Sequence, residues 1–263
     1  MRPGRRAALP DPQPGDAFLA GGTWLFSEPQ PGLRRLVDLP SLGWTSLSAG
    51  AEGLEIGATC RLAELETFEP RAEWAAAALF GPCCNALWGS FKIRNVATVG
   101  GNLCLALPAA PMAALAVALQ GVCVIWMPGG GERRLQARDF ITGAGETALR
   151  AGEILRAVHL PAAALRRRAV LRQASLTCHG RSAALLIGTL DAAEGSMSLT
   201  VTASVRRPLR LDFPSLPDAD GLQAALSGML DPDRLHDDLH GAADWKRLMT
   251  LRLAEAIRRE LAA

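Results

Sequence analysis

The stretch Lys92-Ile93-Arg94-Asn95-Val96-Ala97-Thr98-Val99-Gly100-Gly101-Asn102 carries the most specific information in this chain. It ends in a glycine pair flanked by Thr98 and Asn102. Glycine lets the backbone take positive φ and lets a ligand approach without a Cβ in the way. Successive N–H groups in such a turn form a nest for an anion. A threonine hydroxyl or an asparagine amide adds one more hydrogen bond to a phosphate oxygen. A second segment, Ala20-Gly21-Gly22-Thr23-Trp24-Leu25, has the same ingredients. Two such loops facing each other suit a pyrophosphate, although glycine pairs at this spacing are also compatible with plain turns. No GxxxxGK[ST] phosphate loop is present. Gly143-Ala144-Gly145-Glu146-Thr147-Ala148 fits GxGxxA, but no apolar strand directly precedes it. It therefore lacks the strand–turn–helix context of a dinucleotide fold.

Working outward, the 263 residues make one large domain or two modest ones. Hydrophobic residues are 49% and charged residues 21%, which excludes a disordered or collagen-like chain. The 28 basic and 26 acidic residues leave a net charge of +2, with no basic excess of the kind nucleic acid requires. Tyrosine is absent, so no tyrosine enters a catalytic proposal, and Lys92 and Lys246 are the only lysines. Residues 1–16 are Pro- and Gly-rich and have no apolar stretch of signal-peptide length, so a cytoplasmic location is expected. The six cysteines are then expected to be reduced. Their spacing gives no metal-binding pattern, and Cys83–Cys84 reads either as a redox or metal pair or as two small packed residues.

Residues 95–131 carry no charge, but Pro108, Pro111 and Gln120-Gly121 interrupt the run before it reaches the roughly 18 residues of a membrane span. The same pattern predicts a buried helix from Pro111 to Gly121 and then a strand over 122–127. Further strands are expected at DAFL, LRRLVDLP, GLEIGAT and GEILRAVHLP. Thr59 is expected to cap a helix through Leu62 and Leu65. Gly81-Pro82 is expected to break the helical stretch around it. The arginine cluster Arg166–Arg168 marks a boundary. Beyond it, AVLRQASL, SAALLIGTLD and SLTVTASV suit three antiparallel strands. The last helix places Leu248, Leu251, Ile257 and Leu261 near one face. The mix predicts an α+β fold.

AGGTWLF and KIRNVATVGGNL resemble the two FAD-binding loops of the medium, flavin-carrying subunit of molybdenum hydroxylases, the xanthine dehydrogenase and carbon monoxide dehydrogenase type. Leu54-Glu55-Ile56-Gly57-Ala58-Thr59 is similar to that family's LxIGAxxT strand. Gly152-Glu153-Ile154-Leu155 with Leu160-Pro161 is similar to its ExLxxIxxP strand. Asp238 through Arg247 resembles the HGSxxYRR stretch that opens its last helix. The likeness covers nearly the whole chain beyond residue 17. It implies a vanillyl-alcohol-oxidase (PCMH)-type FAD-binding domain over 1–163. A small C-terminal domain with a three-stranded antiparallel sheet and helices would follow over 168–263, with FAD in the cleft between them.

By the same resemblance, Ala20, Gly21, Gly22, Thr23, Trp24 and Leu25, with Thr98, Val99, Gly100, Gly101 and Asn102, would hold the pyrophosphate and ribityl chain. Arg94 and Asn95 would shape the second loop. The backbone of Ile154 and Leu155 would meet the adenine end, and Arg172 would border the flavin ring. Trp24 and Pro111 stand where the family carries aspartates, and Leu176-Thr177 where it carries a second basic residue.

The implied task is electron transfer: electrons arrive from [2Fe–2S] clusters on a small subunit and leave FAD for NAD⁺ or another acceptor. A large molybdopterin-cofactor subunit would oxidise the substrate. No catalytic acid, base or metal ligand is assigned here. His159, His179, His236 and His240 are scattered, and His179 alone follows the region expected near the flavin ring. Two other readings are a stand-alone flavin oxidoreductase of the same fold and a non-catalytic assembly subunit that has lost FAD.

Overall fold

The computed structural model describes residues 1–2 and 4–263. β1 (Asp16–Leu19) and β2 (Arg35–Asp38) form a small parallel pair. They are followed by β3 (Leu47–Gly50), β4 (Gly53–Gly57), α1 (Leu62–Glu66), α2 (Phe80–Ala86), α3 (Phe91–Arg94), α4 (Val99–Leu105) and α5 (Pro111–Ala118). Next come β5 (Val122–Trp126), β6 (Glu132–Gln136), α6 (Ala137–Phe140), β7 (Ile141–Gly143), β8 (Glu146–Thr147), β9 (Ile154–Pro161) and α7 (Ala162–Leu165). The C-terminal part is β10 (Arg168–Ala174), β11 (Ala184–Leu190), β12 (Met197–Thr202), β13 (Leu209–Phe213), α8 (Ala219–Met229) and α9 (Ala243–Ala262).

β3-β4-β9-β5-β6 form an antiparallel five-stranded sheet, and β10-β11-β12-β13 an antiparallel four-stranded one. The second sheet thus has one strand more than expected. Residues 209–213 read LRLDF, with Leu209 and Leu211 buried and the polar side chains between them. The preceding Arg-Arg-Pro obscured that alternation.

β11 and β12 are buried on both faces. On one face lies α5, all eight of whose residues are buried, and on the other lie α8 and α9. This explains why these strands read as nearly continuous apolar runs rather than a clean alternation. With α5 so deeply buried, its end groups take their partners from the protein. An unpaired buried backbone group costs about 1–3 kcal/mol. At the N-terminus Pro111 lacks an N–H, and Asn102 Oδ1 accepts the Met112 N–H at 3.0 Å. At the C-terminus the Arg210 guanidinium of β13, its side chain 6% exposed, donates to Val117 O (3.2 Å) and Ala118 O (2.8 Å). One helix is therefore capped at one end from α4 and at the other from the C-terminal sheet.

Three local expectations are corrected. Thr59 does not cap α1. The cap is Arg61, whose N–H donates to the Glu64 carboxylate at 2.7 Å. Gly81-Pro82 does not break a helix, because Pro82 falls in the first turn of α2, where a missing N–H is tolerated. The buried face of α9 runs through Lys246, Thr250, Ala254, Ile257 and Leu261, while Leu248 is exposed and Leu251 half-buried.

Lys246 is fully buried and donates to Asp238 Oδ1 at 2.7 Å. Asp238 also accepts the His240 N–H at 2.8 Å, and its Oδ2 lies 3.2 Å from His236 Nε2. Burial holds His236 below its ordinary value of 6.5, with Lys246 and Arg206 adding to this and Asp238 opposing it. A histidine depressed in the folded state contributes stability that is complete above 6.5 and lost as pH falls, because the unfolded chain takes the proton first. Thermal unfolding followed from pH 7.5 to 5 is therefore expected to show Tm falling below about 6.5. His236→Gln is expected to flatten that slope, and an unchanged slope would discard the assignment.

Candidate functional site

The two glycine loops meet. Gly21 packs on the backbone just before the second loop: a Cβ there would lie 2.0 Å from Val96 O and 3.1 Å from Ala97 Cα. Only glycine allows this approach. Gly22 follows with φ +68. The chain then turns back through hydrogen bonds from Phe26 N to Gly22 O (2.9 Å) and from Ser27 N to Trp24 O (3.0 Å). Among the described residues, the N–H groups of Gly21, Gly22, Thr23, Trp24 and Leu25 have no hydrogen-bond partner. All five residues line one cavity of about 610 Å³, a size within the range of small-molecule sites.

The second loop is built differently. Val99 N donates to Cys60 O and Gly100 N to Ala58 O, both at 2.9 Å. Gly101 N donates to Thr98 Oγ1 at 3.0 Å, and Asn102 N to Thr98 O at 3.0 Å. Each N–H at the start of α4 is thus already used. Val99 and Gly100 are buried against β4, and a Cβ at Gly100 would lie 2.5 Å from Ala58 Cβ. Thr98, Gly101 and Asn102 line the cavity and form its wall. Asn102→Ala, which removes the α5 cap, is expected to lower stability by about 1 kcal/mol and Tm by a few degrees. Calorimetry that finds no change would mean that the Asn102–Met112 bond contributes nothing net to stability.

A second cavity of about 710 Å³ adjoins the first and shares Ala86, Trp88, Gly89 and His179 with it. Arg94 and Arg172 line this second cavity. Arg94 is fixed by Glu66 (3.2 Å) and by Gly89 O (3.1 Å). Arg172 of β10 pairs with Glu260 of α9. Asn95 is exposed at the end of α3 and its N–H donates to Phe91 O. Ile154 and Leu155 lie buried within β9, paired with Trp126 and Ile125 of β5, and line neither cavity.

The divider between the cavities is aromatic. Trp88 and His179 stack edge-to-face with centroids 5.3 Å apart. Trp88 takes φ +53, a left-handed conformation that costs a non-glycine residue about 1–2 kcal/mol. His179 and Arg181 both come from the loop between β10 and β11. Arg181 lies over the Trp24 ring, 5.5 Å from its centroid. Arg181 carried no signal in the sequence, where it is one arginine among many. Cys83 and Cys84 are buried in α2, away from either cavity lining, and burial pushes the Cys84 thiol up to about 12.

Five unpartnered N–H groups on residues lining a cleft with aromatic walls, with a guanidinium on the same lining, fit an anionic, ring-bearing cofactor such as FAD. Residues 7–163 match the family described as the FAD binding domain in molybdopterin dehydrogenase, and the chain belongs to that family. The cofactor of this domain family is FAD. Xanthine dehydrogenase of Oryza sativa subsp. japonica is 32% identical over 122 residues, 44% of this chain and 9% of that protein. Xanthine dehydrogenase 1 of Arabidopsis thaliana is 31% identical over the same shares. The matched region thus spans under a tenth of the length of these curated relatives. The fold is shared with a chain of the CO dehydrogenase of Oligotropha carboxidovorans (TM-score 0.81, 24% identity, 94% of this chain and 90% of that one). It is likewise shared with one of quinoline 2-oxidoreductase from Pseudomonas putida 86 (TM-score 0.79, 21% identity, 95% and 90%).

Proposed function

We propose that this chain is the FAD-binding electron-transfer subunit of a cytoplasmic molybdenum hydroxylase complex. In this reading residues 1–163 are the FAD-binding domain and residues 168–263 the C-terminal domain. A small [2Fe–2S] subunit delivers electrons, a large molybdopterin-cofactor subunit oxidises the substrate, and NAD⁺ or another acceptor takes the electrons away. The observation that carries the reading is the run of unpartnered N–H groups from Gly21 to Leu25, all on residues that line the cleft.

FAD, when bound, supplies the redox chemistry. The residues of this chain do the rest. The Gly21–Leu25 N–H groups would hold the pyrophosphate. Thr98, Gly101 and Asn102 would wall the ribityl passage. Trp24 and Trp88 would exclude water from the cleft. Arg172, which lines the second cavity, would border the flavin ring. No side chain here transfers a proton to a substrate. Among the described residues, no helix is long and apolar enough to cross a membrane.

The test is direct. The purified chain, supplied with FAD and then desalted, is expected to retain a flavin absorption spectrum. That spectrum is expected to bleach when a reduced [2Fe–2S] partner subunit is added anaerobically. A chain that stays colourless removes the FAD reading, and a flavin that the reduced partner leaves oxidised removes the electron-transfer reading. Bleaching by NADH alone would identify NAD⁺ as the acceptor.

A further inference from the structure

We infer that Arg181 is a cofactor-binding residue: its guanidinium, carried on the β10–β11 loop, supplies the positive charge that the pyrophosphate needs beside the Gly21–Leu25 nest. This rests on the FAD reading above. Four observations support it.

Arg181 lines the same cavity as the five unpartnered N–H groups. It is the one arginine, lysine or carboxylate residue among those lining that cavity, and no acidic side chain is there to neutralise it. Among the described residues it has no ion-pair or hydrogen-bond partner, although arginines elsewhere in the fold, such as Arg35, Arg133 and Arg258, each hold a carboxylate. Finally, its guanidinium lies over the Trp24 ring, which places an exposed charge beside the nest. Backbone N–H groups supply only partial charges, whereas a guanidinium adds a full one and a fork of donors matched to phosphate oxygens.

The loop that carries Arg181 makes its own hydrogen bonds, from Ser175 Oγ to Thr177 O, from Gly180 N to Thr177 O and from Ala183 N to Ala174 O. Among the described residues none of its hydrogen bonds reaches the N-terminal part. The sheet beneath it is docked firmly, with Ala203 N bonded to Pro108 O and Arg210 bonded to the end of α5. The charge is therefore presented on a loop over a rigid base. Trp24–Arg181 and Trp88–His179 are the ring contacts that join this loop to the opposite wall.

The experiment is a fluorescence titration of the FAD-free full chain with FAD, at low and at high salt, for wild type, Arg181→Gln and Arg181→Lys. Arg181→Gln is expected to weaken FAD binding about tenfold at low salt and to flatten its salt dependence. Arg181→Lys is expected to keep the wild-type salt dependence while losing part of the affinity. Arg181 is exposed, and matching far-UV circular dichroism spectra establish that the variants are folded. An Arg181→Gln chain that binds FAD as wild type does overturns the assignment. So does one that binds more weakly with the wild-type salt dependence, because the residue then acts only by holding the loop. A wild-type chain that binds no FAD removes the cofactor reading itself, and this assignment with it.

Discussion

Gly21→Ala is expected to abolish FAD retention. The added Cβ would sit 2.0 Å from Val96 O, a backbone atom that cannot step aside by rotating a side chain. The two loops must then separate, and the nest loses its place in the cavity that Thr98 and Gly101 also line. Overpacking of this kind costs about 1–3 kcal/mol, so a Tm reduction of several degrees is expected alongside the lost flavin. The neighbouring glycines give an internal scale. Gly22→Ala places its Cβ 2.6 Å from Phe26 Cε2 and 2.9 Å from Leu19 Cδ1. Both are side-chain atoms that can move, so the cost there is mainly the backbone strain at φ +68, about 1 kcal/mol. Gly101→Ala meets only Thr98 Oγ1 at 2.9 Å and is expected to be the mildest. Gly100→Ala strikes Ala58 Cβ and Ala58 O, deep against β4, and is expected to damage the fold as a whole. The flavin-to-protein ratio after gel filtration, read with Tm, gives the order. A Gly21→Ala protein with full flavin content would show that the loops need not touch.

Asp238→Ala is expected to be among the most destabilising single changes in the C-terminal part. It leaves the Lys246 ammonium fully buried without its carboxylate. Removing one partner of a buried ion pair typically costs about 3–5 kcal/mol. The lower end applies here because Asp238 is 24% exposed and water reaches one side of the pair. The expected fall in Tm is roughly 6–12 °C. The double variant Asp238→Ala/Lys246→Met removes both charges at similar volume and is expected to recover most of the loss. If the double variant is no more stable than Asp238→Ala, the loss comes from the His240 N–H bond and the turn it holds, and the ion-pair account fails.

Local pattern carried much of this far. The second glycine loop, the buried helix at Pro111 and the apolar strands 184–190 and 197–202 all follow from residue type and spacing. These features depend on neighbours in sequence. What sequence reasoning missed depends on partners outside the local element. Gly100 and Gly101 look alike in the motif, but one packs against β4 and the other faces the cavity. Asn102 reads as a phosphate ligand, yet its side-chain oxygen is committed to the Met112 N–H. Lys246 sits on the buried face of α9, where an arginine-rich helix gives no hint of a buried cation, because its partner comes from the preceding turn. Arg181 reaches the nest only because the β10–β11 loop folds back over a segment about 160 residues earlier in the chain.

The scarcity of lysine has a practical consequence. Of the two lysine side chains, Lys246 is sealed inside the C-terminal part, and Lys92 stands exposed on α3, one position from Ile93 of the cavity wall. Amine-directed labelling of the folded chain therefore has a single side-chain address. A dye attached there without any engineered residue would report distances across the mouth of the cleft as a partner chain docks.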